Sequence, residues 1–139
     1  MQKCKIIIDT NLWISLLIGK KLSELRSLCN DEGIAVYLCT DLKTEFTRVA
    51  SSEKIKKHVG EERIMNTLSL MGSSCIEVSV TGVAISSCLR DVNDLYLLSL
   101  ADTVQADYIL TGDKDLLTLQ SHNWTKIVTY NEFVKLHEQ

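Results

Sequence analysis

The sequence predicts an α/β protein with a mainly parallel central sheet and helices on both faces. Three observations carry this. Short apolar runs alternate with amphipathic segments along the whole chain, the pattern of repeated strand–helix–strand units. Two of those runs end directly in an acid, at Asp9 in "IIIDTN" and at Asp113 in "ILTGD". No low-complexity linker, internal repeat or composition break divides the 139 residues, so residues 1–139 read as one domain.

Residues 3–8 read as a buried strand, since three isoleucines in a row suit a strand covered on both faces. Leu12 to Leu17 and Leu22 to Cys29 follow as helix, with Leu22, Leu25 and Leu28 on one face. "IAVYLC" at 34–39 is a second strand. Thr40 and Asp41 then stand as caps for a helix in which Leu42, Phe46 and Val49 share a face. Residues 53–71 read as one or two helices with Lys54, Lys56, Lys57 and Arg63 outward, and "CIEVSV" at 75–80 as a further strand. Asp91 is placed to cap a helix over 93–106 with Leu97, Leu98, Ala101 and Val104 inward. "DYILTGD" is a strand delivering Asp113, "LLTL" a short helix and "KIVT" the last strand. Thr129 and Glu132 have the spacing of a capping box opening a terminal helix.

Apolar residues make up 45% and charged residues 24%, an ordinary folded balance rather than a disordered one. A net charge of −3 gives no global pull toward nucleic acid and leaves only a local basic patch for that purpose. No run approaches the roughly 18 apolar residues of a membrane span, and "MQKCKIII" lacks the make-up of a secretory signal. A cytoplasmic protein without membrane association is expected. The five cysteines, Cys4, Cys29, Cys39, Cys75 and Cys88, form neither a CxxC nor a zinc spacing and read as reduced structural residues.

In a parallel sheet with right-handed crossovers, Asp9 and Asp113 emerge at the same edge, where such sheets bind ligands. Two further acids lie on apolar helix arcs. Glu45 falls between Leu42 and Phe46, and Asp94 precedes Leu97, Leu98 and Ala101 by three, four and seven residues. Each has a plainer reading: strand-end turn or helix cap for Asp9 and Asp113, half-exposed helix acid for Glu45, helix-start residue for Asp94. Together at one edge they would repel each other. A divalent cation removes the conflict, and all-oxygen donors select Mg2+ or Mn2+. The chemistry this implies is metal-assisted phosphodiester hydrolysis.

Asn11 could orient a carboxylate or cap the following helix; Thr111 could bind a water or phosphate, or serve as a β-branched strand residue. Asp115 could assist Asp113 or cap the short helix. His58, His122 and His137 fall in exposed segments without a partner pattern, and Trp13 and Trp124 read as packing residues. Arg48, Lys54, Lys56, Lys57 and Arg63 form a solvated helical face that also offers phosphate contacts.

"IIIDTN", the lone Glu45 in "TEF", "RDVNDLYLLSLADTVQADYILTGDKDLL" and the terminal strand and helix together resemble the PIN-domain nucleases, over essentially the whole chain. The resemblance is nearest to the bacterial branch that supplies toxin components of toxin–antitoxin systems. It implies a three-layer α/β/α sandwich and an Mg2+- or Mn2+-dependent ribonuclease. By position Asp9, Glu45, Asp94 and Asp113 fall on the family's acidic quartet, and Asn11 and Thr111 on its accessory polar positions. Relatives often carry proline where Val92 stands, which leaves Asp91 beside Asp94 for the third acid; Asp94 is preferred for its buried face. Asp113 and Asp115 both remain candidates for the fourth. The resemblance also implies a homodimer and a small antitoxin protein as partner.

The expected function is therefore endonucleolytic cleavage of single-stranded RNA, with Arg48, Lys54, Lys56 and Lys57 as candidate RNA contacts. Two alternatives stand beside it. One is a PIN-like module that binds RNA or protein without catalysis. The other is a phosphatase of the haloacid dehalogenase type, which needs a second acid where Asn11 stands.

Overall fold

A computed structural model describes residues 3–80 and 92–137, with the backbone alone for 92–94. β1 (Cys4–Ile8) leads into α1 (Thr10–Ile18) and α2 (Leu22–Cys29), then β2 (Ile34–Leu38) and α3 (Thr40–Ala50). Next come α4 (Glu53–Val59), α5 (Glu61–Ser74), β3 (Ile76–Glu77) and α6 (Val92–Val104). β4 (Tyr108–Leu110), α7 (Lys114–Leu119), β5 (Ser121–His122), β6 (Thr125–Val128) and α8 (Tyr130–His137) complete the chain.

The strands form one sheet in the order β3-β2-β1-β4-β6-β5, parallel except for the β5–β6 pair. Ile6, Ile7 and Ile8 are all fully buried although their side chains alternate between faces. Helices therefore cover both sides of the sheet, as predicted. The apolar fill on the α1–α3 side centres on Trp13 and Phe46, packed edge to face with ring centres 6.5 Å apart.

The strand order reverses at β1: the chain runs outward through β2 and β3, then returns to place β4 on the other side of β1. Open parallel sheets place their ligand site at such a switch point, here beyond the carboxyl ends of β1 and β4. Ile8 is in register with Leu110, so Asp9 and Thr111 leave the sheet side by side. The Asp9 amide donates to the Leu110 carbonyl at 2.9 Å, carrying the pairing one residue past the strand.

Several local expectations change. The 53–71 segment is two helices because Gly60, at φ 90°, ends α4 and starts α5, a conformation that suits glycine. The cap of α3 is Cys39, with no side-chain bond; Thr40 already lies in the helix and its hydroxyl donates to Glu77 Oε2 at 3.3 Å. The 75–80 strand shrinks to two exposed edge residues, beside which Val78 adds a single bond to Leu38. β5 was not anticipated: two residues are too few for a periodic signal, and the left-handed Asn123 (φ 53°) turns it onto β6. Trp124, expected to pack, is 83% exposed on that turn. His122 and His137 do have partners, Asp102 at 3.0 Å and Asp31 at 3.2 Å. The capping box stands as read, with Thr129 and Glu132 bonding each other's amides. The Cys29 and Cys75 thiols lie 3.8 Å apart as free cysteines, joining the end of α2 to the end of α5. Cys88 and Asp91 lie outside the described residues. Among the described residues no helix is long and apolar enough to cross a membrane.

Candidate acidic site at the switch point

Asp9 is the N-cap of α1 and only 4% exposed. A carboxylate taken this far from water must be compensated. The compensation is local. The fully buried Thr111 hydroxyl donates to Asp9 Oδ2 at 2.7 Å, and the Asn11 amide donates to Oδ1 at 3.4 Å. Asn11 thus acts through its backbone, and the cap it was a candidate for is Asp9.

Thr111 has a second bond. Its oxygen accepts from the Asp113 amide at 3.0 Å, so one buried hydroxyl fixes both strand-end acids. Asp113 caps α7, its Oδ1 accepting from the Asp115 amide at 2.8 Å and the Leu116 amide at 3.4 Å. This leaves Oδ2 without a protein donor among the described residues. Asp115 is exposed on the first turn of α7 and meets Asp113 through its backbone.

Burial is the main cause that pushes the Asp9 carboxyl above its ordinary range. The Thr111 and Asn11 bonds pull it back, and the charges of Asp113 and Glu45 push it further up. Asp113 and Glu45 thus lie near enough to Asp9 for their charges to act on it. Three of the four predicted acids are therefore neighbours: Asp9 after β1, Glu45 on α3 and Asp113 at the β4–α7 junction. The fourth, Asp94, lies in the first turn of α6, and its side chain is outside the described residues. Among the described residues no three potential ligands enclose a metal-sized space by themselves.

Glu45 is held by a residue that the sequence did not single out. Tyr96 donates its hydroxyl proton to Glu45 Oε2 at 2.6 Å. The Tyr96 phenolic oxygen lies 3.0 Å from the hydroxyl of Thr10, which is fully buried beside Asp9. Since the Tyr96 proton is committed to Glu45, Thr10 is the donor in that second bond. Burial, then the Glu45 bond and charge, push the Tyr96 hydroxyl well above its ordinary range, so it stays protonated.

The donor set has the chemistry that a hard divalent ion takes: carboxylate oxygens whose charges oppose one another, around an acid whose burial disfavours its charge. Asp9, Glu45 and Asp113 are the described residues able to contribute. Arg48, Lys54, Lys56 and Lys57 are exposed on α3 and α4, the first of them one turn beyond Glu45, and none forms an ion pair among the described residues.

Comparison with known proteins agrees with this architecture. The family model for the PIN domain matches residues 5–115. An uncharacterized protein of Methanocaldococcus jannaschii is 30% identical over 148 aligned positions, covering 99% of this chain and 94% of the relative. Among solved structures, VapBC2 from Rickettsia felis, bound to a DNA fragment from its promoter, superposes with a TM-score of 0.53. It covers 88% of this chain and 96% of that one, at 15% identity, which speaks for the fold. The similarity reaches an archaeal protein, so it is not confined to the bacterial branch.

Proposed function

The chain belongs to the PIN-domain family, and on that premise we propose that it is an Mg2+- or Mn2+-dependent endoribonuclease that cleaves single-stranded RNA. The observation that carries this is Asp9: a carboxylate 4% exposed at the switch point, bonded by Thr111 and facing the charges of Asp113 and Glu45. Among the described residues no Lys or Arg pairs with this cluster, which supports a bound cation as its counter-charge.

Asp9, Asp94 and Asp113 hold the ion in this reading, with Glu45 completing its shell directly or through water. When bound, the ion supplies Lewis-acid polarisation of the phosphate and makes attacking water more acidic. The protein's part is positional. Thr111 keeps Oδ2 of Asp9 turned to the sheet, which leaves Oδ1, with its one long bond, as the more available oxygen. The α7 amides hold Asp113 by Oδ1 and present Oδ2. Water bonds to phosphorus as the bond to the departing ribose oxygen breaks. Arg48, Lys54, Lys56 and Lys57 offer phosphate contacts for the strand on the helical side next to Glu45.

The toxin role belongs to the same proposal. The fold neighbour is part of a VapBC2 complex, and a small antitoxin protein closing the acidic crevice, with a homodimer as the free form, fits this chain. Purified protein incubated with single-stranded RNA and either ion should cleave it, and Asp9→Asn should slow cleavage by a factor of about 10^2 or more. Absence of cleavage with both ions, or equal cleavage by the variant, refutes the reading.

A further inference from the structure

The strut running from Thr10 through Tyr96 to Glu45 has no counterpart among the strand-end acids. Asp9 and Asp113 are fixed by their own strands and helix caps. Glu45 is different: it stands in mid-helix, half-buried, on a side chain with three rotatable bonds. Its one hydrogen-bond partner among the described residues is Tyr96, at 2.6 Å. Without that bond nothing described would keep the Glu45 carboxylate over the crevice rather than out in solvent.

Tyr96 in turn is oriented from the far side. Thr10 is the first residue of α1, immediately after Asp9, and its hydroxyl lies 3.0 Å from the phenolic oxygen. The strut thus connects three elements, α1, α3 and α6, across the edge where the acids gather. Tyr96 donates to Oε2, and Oε1 of Glu45 is the oxygen without a donor among the described residues.

We propose that Tyr96 is a positioning residue of the divalent-ion site: its hydroxyl holds Glu45 in one rotamer as a one-oxygen ligand, and Thr10 sets the direction of that hydroxyl. The inference rests on the proposed metal-dependent activity but concerns how the ion is bound. The phenol touches neither the ion nor the substrate, and acts only through Glu45.

The test is Mn2+ binding to the purified, folded protein, followed by electron paramagnetic resonance of free Mn2+, for the wild type, Tyr96→Phe, Glu45→Gln and the double variant. The wild type should bind. Tyr96→Phe should weaken binding roughly 3- to 10-fold, Glu45→Gln by at least as much, and the double variant no further than Glu45→Gln alone, since the phenol acts only through that carboxylate. Unchanged affinity in Tyr96→Phe, or losses that multiply in the double variant, overturns the proposal while leaving the ion site intact. A wild type that binds no Mn2+ overturns the metal reading and this inference with it. If Tyr96→Phe does not fold, Thr10→Val tests the strut from its other end, with a smaller loss in the same direction expected and unchanged affinity counting against it.

Discussion

Thr111→Val isolates the hydroxyl on which the two strand-end acids depend. Valine has nearly the same shape, and Thr111 is fully buried, so the apolar packing of the site is preserved and only two hydrogen bonds are lost. One runs to the Asp9 carboxylate at 2.7 Å and the other comes from the Asp113 amide at 3.0 Å. A buried bond to a charged group contributes about 1.5–3 kcal/mol and a neutral one about 0.5–1.5 kcal/mol. The expected loss is therefore about 2–4.5 kcal/mol, or roughly 7–16 °C in Tm for a chain of this size. The loss should depend on pH. The Thr111 bond pulls the Asp9 carboxyl down, so its removal pushes the folded-state value still higher. A carboxyl raised on folding weakens the fold progressively from its unfolded value, about 3.9, up to its folded one, and fully above that. The variant's deficit should thus be larger at pH 8 than at pH 4, where only the neutral component remains. Urea denaturation without divalent ions, at both pH values, measures it. A deficit below about 0.5 kcal/mol at pH 8, or one independent of pH, would show that Thr111 is not what compensates Asp9.

Two further outcomes follow from the same geometry. Asp9→Asn keeps an acceptor for Thr111 while removing a charge that burial and two neighbouring acids oppose. Without divalent ions it should raise Tm at pH 8 and leave it nearly unchanged at pH 4; Mn2+ at ten times its dissociation constant should stabilise the wild type by about 1.4 kcal/mol and the variant by much less, as differential scanning fluorimetry reports. Phe46→Ala empties the fully buried position packed edge-on against Trp13 and should cost about 3–5 kcal/mol in urea denaturation.

Much of this site could be read from local sequence because its rigid half is locally encoded. Three isoleucines followed by aspartate can be accommodated in few ways, and "ILTGD" repeats the device on a neighbouring strand. Glu45 was found by its arc on the α3 face. Tyr96 was not, because between Leu95 and Leu97 an aromatic residue reads as core, and its hydroxyl meets Glu45 and Thr10 only once α6 lies against α1 and α3. The strand order was equally hidden: that β4 returns beside β1 rather than beyond β3 depends on long-range pairing, which no window of sequence contains. The expectation for Trp124 failed for a related reason. A tryptophan before a strand suggests burial, yet the left-handed turn at Asn123 sends it into solvent.

The two halves of the crevice are held in different ways, and this bears on what an ion would encounter. On the β1–β4 side, Asp9 follows a strand whose last three residues have no exposed surface, and its amide is still paired to Leu110. Thr111 locks Asp9 to the Asp113 backbone. Moving either acid means disturbing the centre of the sheet. On the α3 side, Glu45 depends on a single side-chain bond from another helix. A pair of carboxylates fixed by the sheet, with a third acid set opposite by one side-chain bond, would suit an ion that demands near-octahedral geometry but retains much of its water. In the proposed reading the sheet would set where an ion sits, and the Tyr96 bond would set which Glu45 oxygen meets it. The charges of Asp113 and Glu45 that oppose ionisation of Asp9 would each become an attraction for a cation held among the three carboxylates.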